Sequence, residues 1–413
     1  NCADSLYFAE DRTTYQIGKG KEGFINSLVA HFPEEKKNLQ AYTDAIFRLT
    51  EEVDFFHLRP SSDMFTTHTS DFFLAADAFI AKYITNPKLR SVVAYMNPLY
   101  GGRSDETPAY IHAIISRLYM QGASRFAGGS DKFTDLLTSV IESAGGEVHT
   151  NEGVEWVEIN NRHVDYVRTK KGNTYQADYY ISAIHPCSLL RLMPENSFPK
   201  AYRTRLNSIP NSYSAFSVYI KLKPCTFPYI NHSEYFMTRY VDIWNFGQHN
   251  KVWPLGFLFM TPPNEQQGEY ADKALVTIPM LYDEVAKWEE TEVGKRGTDY
   301  EAWKEEKARD LLALIEELHP GFSACVDKIN IASPLTIRDY YGSKEGSMFG
   351  FSKDYKNIAL SQVPVVTKVD NLLLTGQNNG LPGFCGVPLT AINTVEAILG
   401  QNYILNRINE CVK

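Results

Sequence analysis

The chain is poor in cysteine and has no long apolar stretch. Its 413 residues include six cysteines, none of them in a CxxC pair, and this dispersal predicts reduced thiols, with neither a disulfide framework nor a zinc site. The ten histidines form no HxxxH or HxH pair, so we expect no metal centre. No run of residues approaches the ~18 apolar positions of a membrane span. These features predict a cytoplasmic protein without a structural metal.

Several catalytic motifs are also missing from the sequence. There is no GxSxG nucleophile elbow and no phosphate-binding P-loop. No carboxylate pair stands out for glycoside hydrolysis. The net charge is −8, with both signs mixed along the chain, which argues against a nucleic-acid partner. What remains is a chain rich in aromatics, with 25 Tyr and 23 Phe. They suit either an ordinary core or a tunnel for an apolar ligand.

The most informative stretch covers residues 371–400. Leu372–Leu374 has the length and composition of a buried strand, and a loop rich in glycine and proline follows it. A helical period begins at Val387, Pro388 suits the first turn, and Gly400 ends the helix. A helix N-terminus after a strand and a glycine loop favours an electron-rich oxygen. A tight turn without a ligand is an equally good interpretation of this stretch alone.

The segment LLLTGQNNGLPGFCGVPLTAINTVEAI closely resembles the C-terminal flavin-binding segment of the phytoene desaturase, carotenoid isomerase and retinol saturase family. These are FAD enzymes of the wider amine-oxidase-like group. The resemblance implies that Gly376 and Gln377 lie near the ribityl chain and the pyrophosphate of FAD. The family often has an acidic residue where Gln377 stands. It also implies that the flavin ring is lined by Gly383, Phe384, Gly386, Val387 and Pro388.

A second stretch, residues 121–186, resembles the same family. It predicts a helix after Ser130, three short strands with turns between them, and a buried return strand over 179–183. This is the layout of flavoproteins with two dinucleotide-binding domains. The resemblance implies that Val154 contacts the adenine and that the loop at Ala183 passes near FAD. It also implies substrate contacts from Gly128, Gly129 and Lys132. Val154 as a core residue, and a plain helix entry at the two glycines, remain alternatives.

The family's N-terminal dinucleotide fingerprint has no counterpart in this sequence. Gly18, Gly20 and Gly23 match GxGxxG literally, but they follow a short polar strand, so we interpret them as a turn before a helix over 24–32. The FAD site is therefore expected to be incomplete in this chain. We expect that the N-terminal part of a larger protein is missing, or that this is a natural short form that binds no dinucleotide.

The rest of the chain predicts helices and a sheet. Residues 36–120 show helical stripes, and His112 on an apolar face is expected to be a core histidine. The aromatic residues Phe55, Phe56 and Phe65 suit ordinary packing, with a lid or a peripheral membrane contact as the alternative. Residues 211–345 predict a mostly antiparallel substrate sheet. Core packing and a substrate cavity are equally good roles for Tyr341 and Phe349.

Together these observations predict an α/β fold of the FAD/NAD(P)-binding type with an interleaved substrate domain. The implied activity is FAD-dependent oxidoreduction at carbon–carbon bonds of an apolar, isoprenoid or retinoid-like substrate. The alternatives are an amine-oxidising flavoenzyme and a flavin-free lipid or polyene carrier. The catalytic residues and the oligomeric state stay unknown. The expected domains are 1–35 (remainder of the FAD domain), 36–120 (helical lid), 121–195 (FAD-binding), 196–345 (substrate) and 346–413 (C-terminal FAD segment).

Overall fold

The computed structural model describes residues 2–60, 68–264 and 268–411. Phe65, one of the three aromatic residues considered for a lid or a membrane contact, lies outside these ranges. The strands are β1 Cys2–Phe8, β2 Thr13–Gly18, β3 Val154–Asn160, β4 His163–Thr169, β5 Thr174–Tyr175, β6 Tyr180–Ser182, β7 Ser214–Leu222, β8 Ser233–Met237, β9 Gly256–Met260, β10 Lys273–Met280, β11 Val326–Ala332 and β12 Leu372–Leu374.

The helices fall into a group before β3 and a set that connects the later strands. Short 3₁₀ helices such as Asn97–Tyr100 join several of them. The α-helices are α1 Lys21–Val29, α2 Lys36–Glu51, α3 Ala76–Tyr83, α4 Pro87–Val93, α5 Ala109–Gln121, α6 Asp131–Ser143, α7 Pro186–Leu189, α8 Lys200–Ser208, α9 Thr298–Leu318, α10 Phe322–Cys325, α11 Pro334–Tyr341, α12 Ile358–Ser361, α13 Gly383–Leu399 and α14 Tyr403–Cys411.

A seven-stranded sheet organises the larger half of the molecule, in the order β11-β7-β10-β9-β8-β1-β2. Its strands pair antiparallel, as predicted, except that β1 lies parallel to β8 with Leu6 opposite Tyr235. Residues 1–35, predicted as the remainder of the FAD domain, contribute β1 and β2 to this sheet. Because β1 pairs with a strand more than 220 residues away, local patterns could not reveal its sheet.

The two faces of this sheet differ sharply in burial. Along β10, Val276 and Ile278 are fully buried, whereas the residues that alternate with them, such as Leu275 and Thr277, are half-buried. The buried face packs against α9 through Leu311 and Ile315, as strand alternation requires. The opposite face is covered only partly and borders the cavities described below.

The helices before β3 form the largest core, which confirms the predicted role of His112. This side chain is fully buried and pairs with the hydroxyls of Tyr42 at 2.6 Å and Tyr100 at 3.0 Å. Burial lowers the pKa of His112 to about 3, so the ring is neutral. Phe56 packs against the same core, as ordinary packing predicts.

The smaller half contains the parallel pair β6–β12 and the antiparallel meander β3-β4-β5. The predicted meander strands are confirmed to within one or two residues. β12 is fully buried, as expected. The return strand β6 is not, because Ile181 is 47% exposed. The half therefore has an incompletely covered side.

The GxGxxG match at the N-terminus has a structural role. Gly18 ends β2, and a Cβ on it would lie 2.3 Å from the carbonyl oxygen of Gly23 in α1. The glycines thus allow close packing of a helix on an antiparallel strand, as interpreted from the sequence.

Among the described helices, none is both long and apolar enough to cross a membrane alone. Helices α13 and α14 meet that condition only when they are taken together, and they are bent by 120° relative to each other.

Candidate flavin and substrate site

The site begins at the carboxyl ends of β6 and β12. The Thr375 amide donates to the carbonyl oxygen of Ser182 at 3.0 Å, which extends the parallel pairing past both strands. A Cβ on Gly376 would lie 3.6 Å from the carbonyl oxygen of Ala183. The structure therefore brings Ala183 and Gly376 together, with the half-buried Gln377 next to them. Open α/β sheets bind ligands outside the carboxyl ends of parallel strands.

Helix α13 opens directly above this crevice. It begins at Gly383, whose φ of 80° favours glycine, and not at Val387 as predicted. Pro388 consequently lies inside the helix, where its missing N–H leaves one helical carbonyl without its usual donor. The periodicity missed this start because glycines and Phe384 fill the first turn. The opening amides remain available for an electron-rich oxygen.

A tight contact fixes this first turn. A Cβ on Gly386 would lie 2.3 Å from the carbonyl oxygen of Leu381, so no larger residue fits without moving the loop. The Thr375 hydroxyl is buried below it and has no hydrogen-bond partner within the described ranges. Native proteins leave few such groups unpaired. The crevice thus combines free helix amides, a close backbone and an unsatisfied hydroxyl.

An aromatic cluster connects α13 with α6. The ring of Phe384 lies 5.1 Å from that of Phe126 and 4.6 Å from that of Phe133, measured between centroids. Phe384 is nevertheless 58% exposed. The cluster places the predicted flavin residue Phe384 near the loop that holds Gly128 and Gly129.

Much of the surface around this cluster is apolar and exposed. Helix α6 has no buried residue among those described, although its sequence is strongly amphipathic. We call this surface the apolar face of the cofactor half, and it comprises Leu136, Leu137, Val140, Ile141, Val154, Tyr179, Ile181, Ile184, Phe384 and Val387. Large exposed apolar surfaces often mark sites of interaction.

These residues fit the flavin end of FAD. Gly383, Phe384 and Gly386 supply the helix opening, and Ala183, Gly376 and Thr375 supply the crevice floor. A glycine-rich strand-to-helix turn for the pyrophosphate is not present among the described residues, since the literal match at Gly18 lies in the antiparallel sheet. The described residues of the crevice and of α13 therefore suit the flavin end of the cofactor.

Residue His185 lies next to the crevice but is not available as a base. Its Nδ1 accepts from the Cys187 amide at 3.2 Å, and its Nε2 pairs with Asn211 at 3.0 Å. Burial lowers the pKa of His185 to about 4, despite the hydrogen bond with Asn211 that raises it. Both ring nitrogens thus serve the fold.

The half-buried face of the seven-stranded sheet borders two cavities. Leu275 and Thr277 stand two residues apart on the same face of β10 and line two different cavities. The larger has a volume of ≈ 890 Å³ and is bordered by Gly128 and Gly129. The smaller has a volume of ≈ 230 Å³ and is bordered by Phe349. An elongated apolar ligand could lie along this face and reach both.

The remaining predicted site residues are more dispersed. Tyr341 is 67% exposed at the end of α11. Lys132 is exposed in the first turn of α6. Val154 begins β3, which belongs to a different sheet from the crevice strands, and is 37% exposed. The structure therefore brings together the glycines, Phe384 and the crevice residues, but not these three.

Sequence reasoning missed most of the smaller cavity. Its wall includes Tyr213, Tyr235, Leu258 and Thr277, which come from four separate segments. Thr277 lies opposite Leu258, and Leu258 lies opposite Tyr235. Strand alternation in β7 to β10 was the available pattern, but strand order and register decide which residues meet.

A buried acid, Asp4, lies close to the wall of the smaller cavity. Asp4 is 1% exposed and accepts a 2.8 Å hydrogen bond from the Tyr95 hydroxyl. Burial raises the pKa of Asp4 to about 6, although this hydrogen bond and the charge of Arg125 act in the opposite direction. Tyr95 also packs edge-on against Tyr235, with ring centroids 5.0 Å apart.

Comparisons with known proteins agree with this arrangement. Residues 14–311 match the family described as flavin-containing amine oxidoreductases. The all-trans-retinol 13,14-reductase of Rattus norvegicus is 24% identical over 431 residues, which cover 95% of this chain and 70% of the relative. The 4,4'-diaponeurosporene oxygenase of Staphylococcus aureus strain MW2 is 24% identical over 415 residues, 94% of this chain and 78% of that protein.

A solved structure supports the architecture. Cyclohexylamine oxidase from Brevibacterium oxydans IH-35A matches with a TM-score of 0.54 at 11% identity, over 99% of this chain and 81% of that chain. At this identity the likeness concerns the fold alone. It confirms the predicted combination of an FAD-binding fold with an interleaved substrate domain.

Proposed function

The chain belongs to the flavin-containing amine oxidoreductase family, and we propose that it is an FAD-dependent oxidoreductase acting on carbon–carbon bonds of an apolar, isoprenoid or retinoid-like substrate. When bound, FAD supplies the hydride chemistry. The residues of this chain bind and orient both groups and exclude water. Gly383, Phe384 and Gly386 would meet the flavin, and Ala183 and Gly376 would border it.

The main support is the apolar sheet face with its two adjoining cavities. The cavity walls include Leu258, Leu275 and Phe349, which suit a hydrocarbon skeleton, and the wall of the smaller cavity contains no charged side chain among the described residues. The larger cavity also touches the Gly128–Gly129 loop, which leads into α6 and the Phe384 cluster. The two relatives described above are named for retinol and diaponeurosporene, a retinoid and a carotenoid.

The test combines flavin content with product analysis. The purified protein is incubated with FAD, freed of excess cofactor, and examined for flavin absorbance. The direction of reaction is open. The FAD-loaded protein is therefore assayed with all-trans-retinol twice, once with its flavin oxidised and once with its flavin chemically reduced. A product that differs by two hydrogens, or a double-bond isomer of equal mass, is expected.

Cyclohexylamine run in parallel tests the second candidate, an amine-oxidising flavoenzyme, which the family description favours. Ketone and peroxide formed from the amine, with retinol unchanged, would contradict the proposal. A protein that takes up no FAD but binds retinol would instead support the carrier hypothesis. The cytoplasmic location and a peripheral membrane contact stay predictions.

A further inference from the structure

Two segments, residues 209–213 and 349–352, cross between the cores of the two halves, and we call them the crossing pair. The first runs from Ile209, buried in the core of the cofactor half, to Tyr213, buried in the core that the helices before β3 form. The second runs back from that helical core to the cofactor half, where its Phe351 is buried. The crossing pair is therefore a direct connection between the two halves.

The two segments are bonded to each other and reach the smaller cavity. The Ser212 amide donates to the Gly350 carbonyl oxygen at 2.9 Å. Tyr213 follows Ser212 directly and Phe349 precedes Gly350, and both line the smaller cavity. The crossing pair thus joins a wall of this cavity to the cofactor half.

His185 holds the first segment from the end of β6. It stands two residues after Ala183, which borders the flavin crevice. Its Nε2 pairs with the Oδ1 of Asn211 at 3.0 Å. Its ring also packs edge-on against that of Phe351, with centroids 4.7 Å apart. One side chain next to the crevice therefore contacts both segments of the crossing pair.

The direction of the hydrogen bond between His185 and Asn211 is fixed at both ends. The Nδ2 of Asn211 donates to the Glu345 carboxylate at 3.1 Å, so its Oδ1 is left to accept. The Nδ1 of His185 accepts from the Cys187 amide, so its hydrogen is on Nε2. The ring thus donates to Asn211 and has a single orientation.

Asn378 holds the second segment from the end of β12. It stands two residues after Gly376, is 4% exposed, and accepts from the Phe351 amide through its Oδ1 at 3.1 Å. A Cβ on Gly350, which has a φ of 70°, would lie 2.3 Å from this oxygen, so the approach requires a glycine. Both crevice strands are therefore followed by a buried side chain that contacts the crossing pair.

This arrangement bears on how the two sites are aligned. Hydride transfer needs the reacting atoms in near contact, and a displacement of about 1 Å can cost about 100-fold in rate. The flavin crevice lies in the cofactor half, whereas the smaller cavity lies on the seven-stranded sheet. Elements that connect the halves therefore determine whether a ligand in the cavity meets a flavin in the crevice.

We propose that His185 and Asn378 are positioning residues, which keep the wall of the smaller cavity aligned with the flavin crevice by holding the crossing pair. This inference rests on the proposed function, because it assumes that the crevice holds flavin and that the smaller cavity holds substrate. It adds which residues set the distance between the two. The competing explanation is that these contacts stabilise the fold and nothing more.

The test compares Asn378→Ala with Asn371→Ala, a matched control. Asn371 is also 4% exposed and accepts from a backbone amide, that of Val164, at 2.8 Å. It joins β12 to β4, and among the described residues it has no hydrogen bond with the crossing pair. The second comparison is His185→Ala with His185→Gln, whose side-chain amide can still donate to Asn211.

Each FAD-loaded protein is assayed with whichever of all-trans-retinol and cyclohexylamine the wild type converts, and its thermal midpoint is recorded. Asn378→Ala and Asn371→Ala should lower the midpoint by similar amounts, because each leaves a buried amide unpaired. Only Asn378→Ala should lower kcat, by about 10- to 100-fold, while its KM changes by less than about 3-fold. His185→Ala should show the same split, and His185→Gln should recover most of the lost kcat.

Hydrogen exchange provides a readout that needs no turnover. Bound FAD should slow exchange of the Ser212 amide in wild type and in Asn371→Ala, because the crevice and the crossing pair are joined. The same amide should not respond to FAD in Asn378→Ala or in His185→Ala.

The remaining outcomes separate this inference from the proposed function. Equal losses of kcat in Asn378→Ala and Asn371→Ala, or an exchange response to FAD that survives in Asn378→Ala, would overturn the positioning role and leave the proposed function standing. A wild-type protein that binds FAD but converts neither compound would overturn the proposed function, and the exchange comparison would then decide the inference alone. A wild-type protein that takes up no FAD would overturn both.

Discussion

Replacing Asp4 by asparagine should change how the stability of the protein depends on pH. The Asp4 carboxyl is almost completely buried on β1 and receives a hydrogen bond from Tyr95. Burial raises its pKa from an ordinary 3.8 to about 6, against the opposing charges of Arg125 and His232. The folded protein therefore retains this proton over a range in which the unfolded chain has lost it.

The sign and size of the effect follow from proton linkage. Between pH 3.8 and 6 the folded state binds more protons than the unfolded state, so Asp4 makes the protein less stable as the pH rises. A pKa difference of about 2 corresponds to about 3 kcal/mol. The asparagine side chain of the variant does not titrate. The advantage of Asp4→Asn over wild type should thus grow by about 2 kcal/mol from pH 4 to pH 6.5. It should level off above about pH 7.

Urea unfolding of both proteins at several pH values checks this. The comparison must use the difference between variant and wild type, because His112 and His185 have lowered pKa values and make both proteins less stable as the pH falls below about 6.5. These contributions cancel in the difference. A free-energy difference that stays flat across this range would refute a raised pKa. A difference that falls with rising pH would mean that Arg125 stabilises the carboxylate.

Three further changes test other parts of the structure. Gly386→Ala brings a methyl group against the Leu381 carbonyl; it should cost about 1–3 kcal/mol and weaken FAD uptake, seen in thermal melts with and without FAD. His112→Ala leaves a buried void and two unpaired tyrosine hydroxyls; urea unfolding should show a loss of about 3–5 kcal/mol. The double change Leu137→Glu with Val140→Glu replaces two exposed side chains of the apolar face. It should change the free energy of unfolding by less than about 0.5 kcal/mol and reduce the binding of a hydrophobic dye. A large loss of stability would show that this face is covered.

The elements that sequence patterns predicted well depend on neighbouring residues. The strands around Asn160-Asn161 and around Lys171-Gly172 are set by their turns and their alternation, and the structure confirms them. The apolar run at Leu372–Leu374 was long enough to indicate a buried strand. The strand–loop–helix order of the flavin segment followed from the same local chemistry.

The failures involve interactions over long sequence distances. The pairing of β1 with β8 was not predicted, because β8 lies far along the chain. The wall of the smaller cavity depends on the register of four strands, which single-strand alternation does not specify. The helix start at Gly383 was missed because the first turn contains glycines, which usually end a helical pattern. The helix predicted after Ser130 is present, but its apolar side chains lie exposed among the described residues, which no local pattern indicated.

The exposed stripe on α6 and the flavin crevice are physically connected, and this has a consequence for cofactor affinity. Phe133 on α6 and Phe384 on α13 share one aromatic cluster, so an element that packs on the apolar face would also restrain the first turn of α13. Restraint of that turn reduces the entropy lost when a ligand meets its amides. Reciprocally, a bound flavin would order Phe384 and favour packing on α6. Cofactor uptake and covering of this face should therefore strengthen each other.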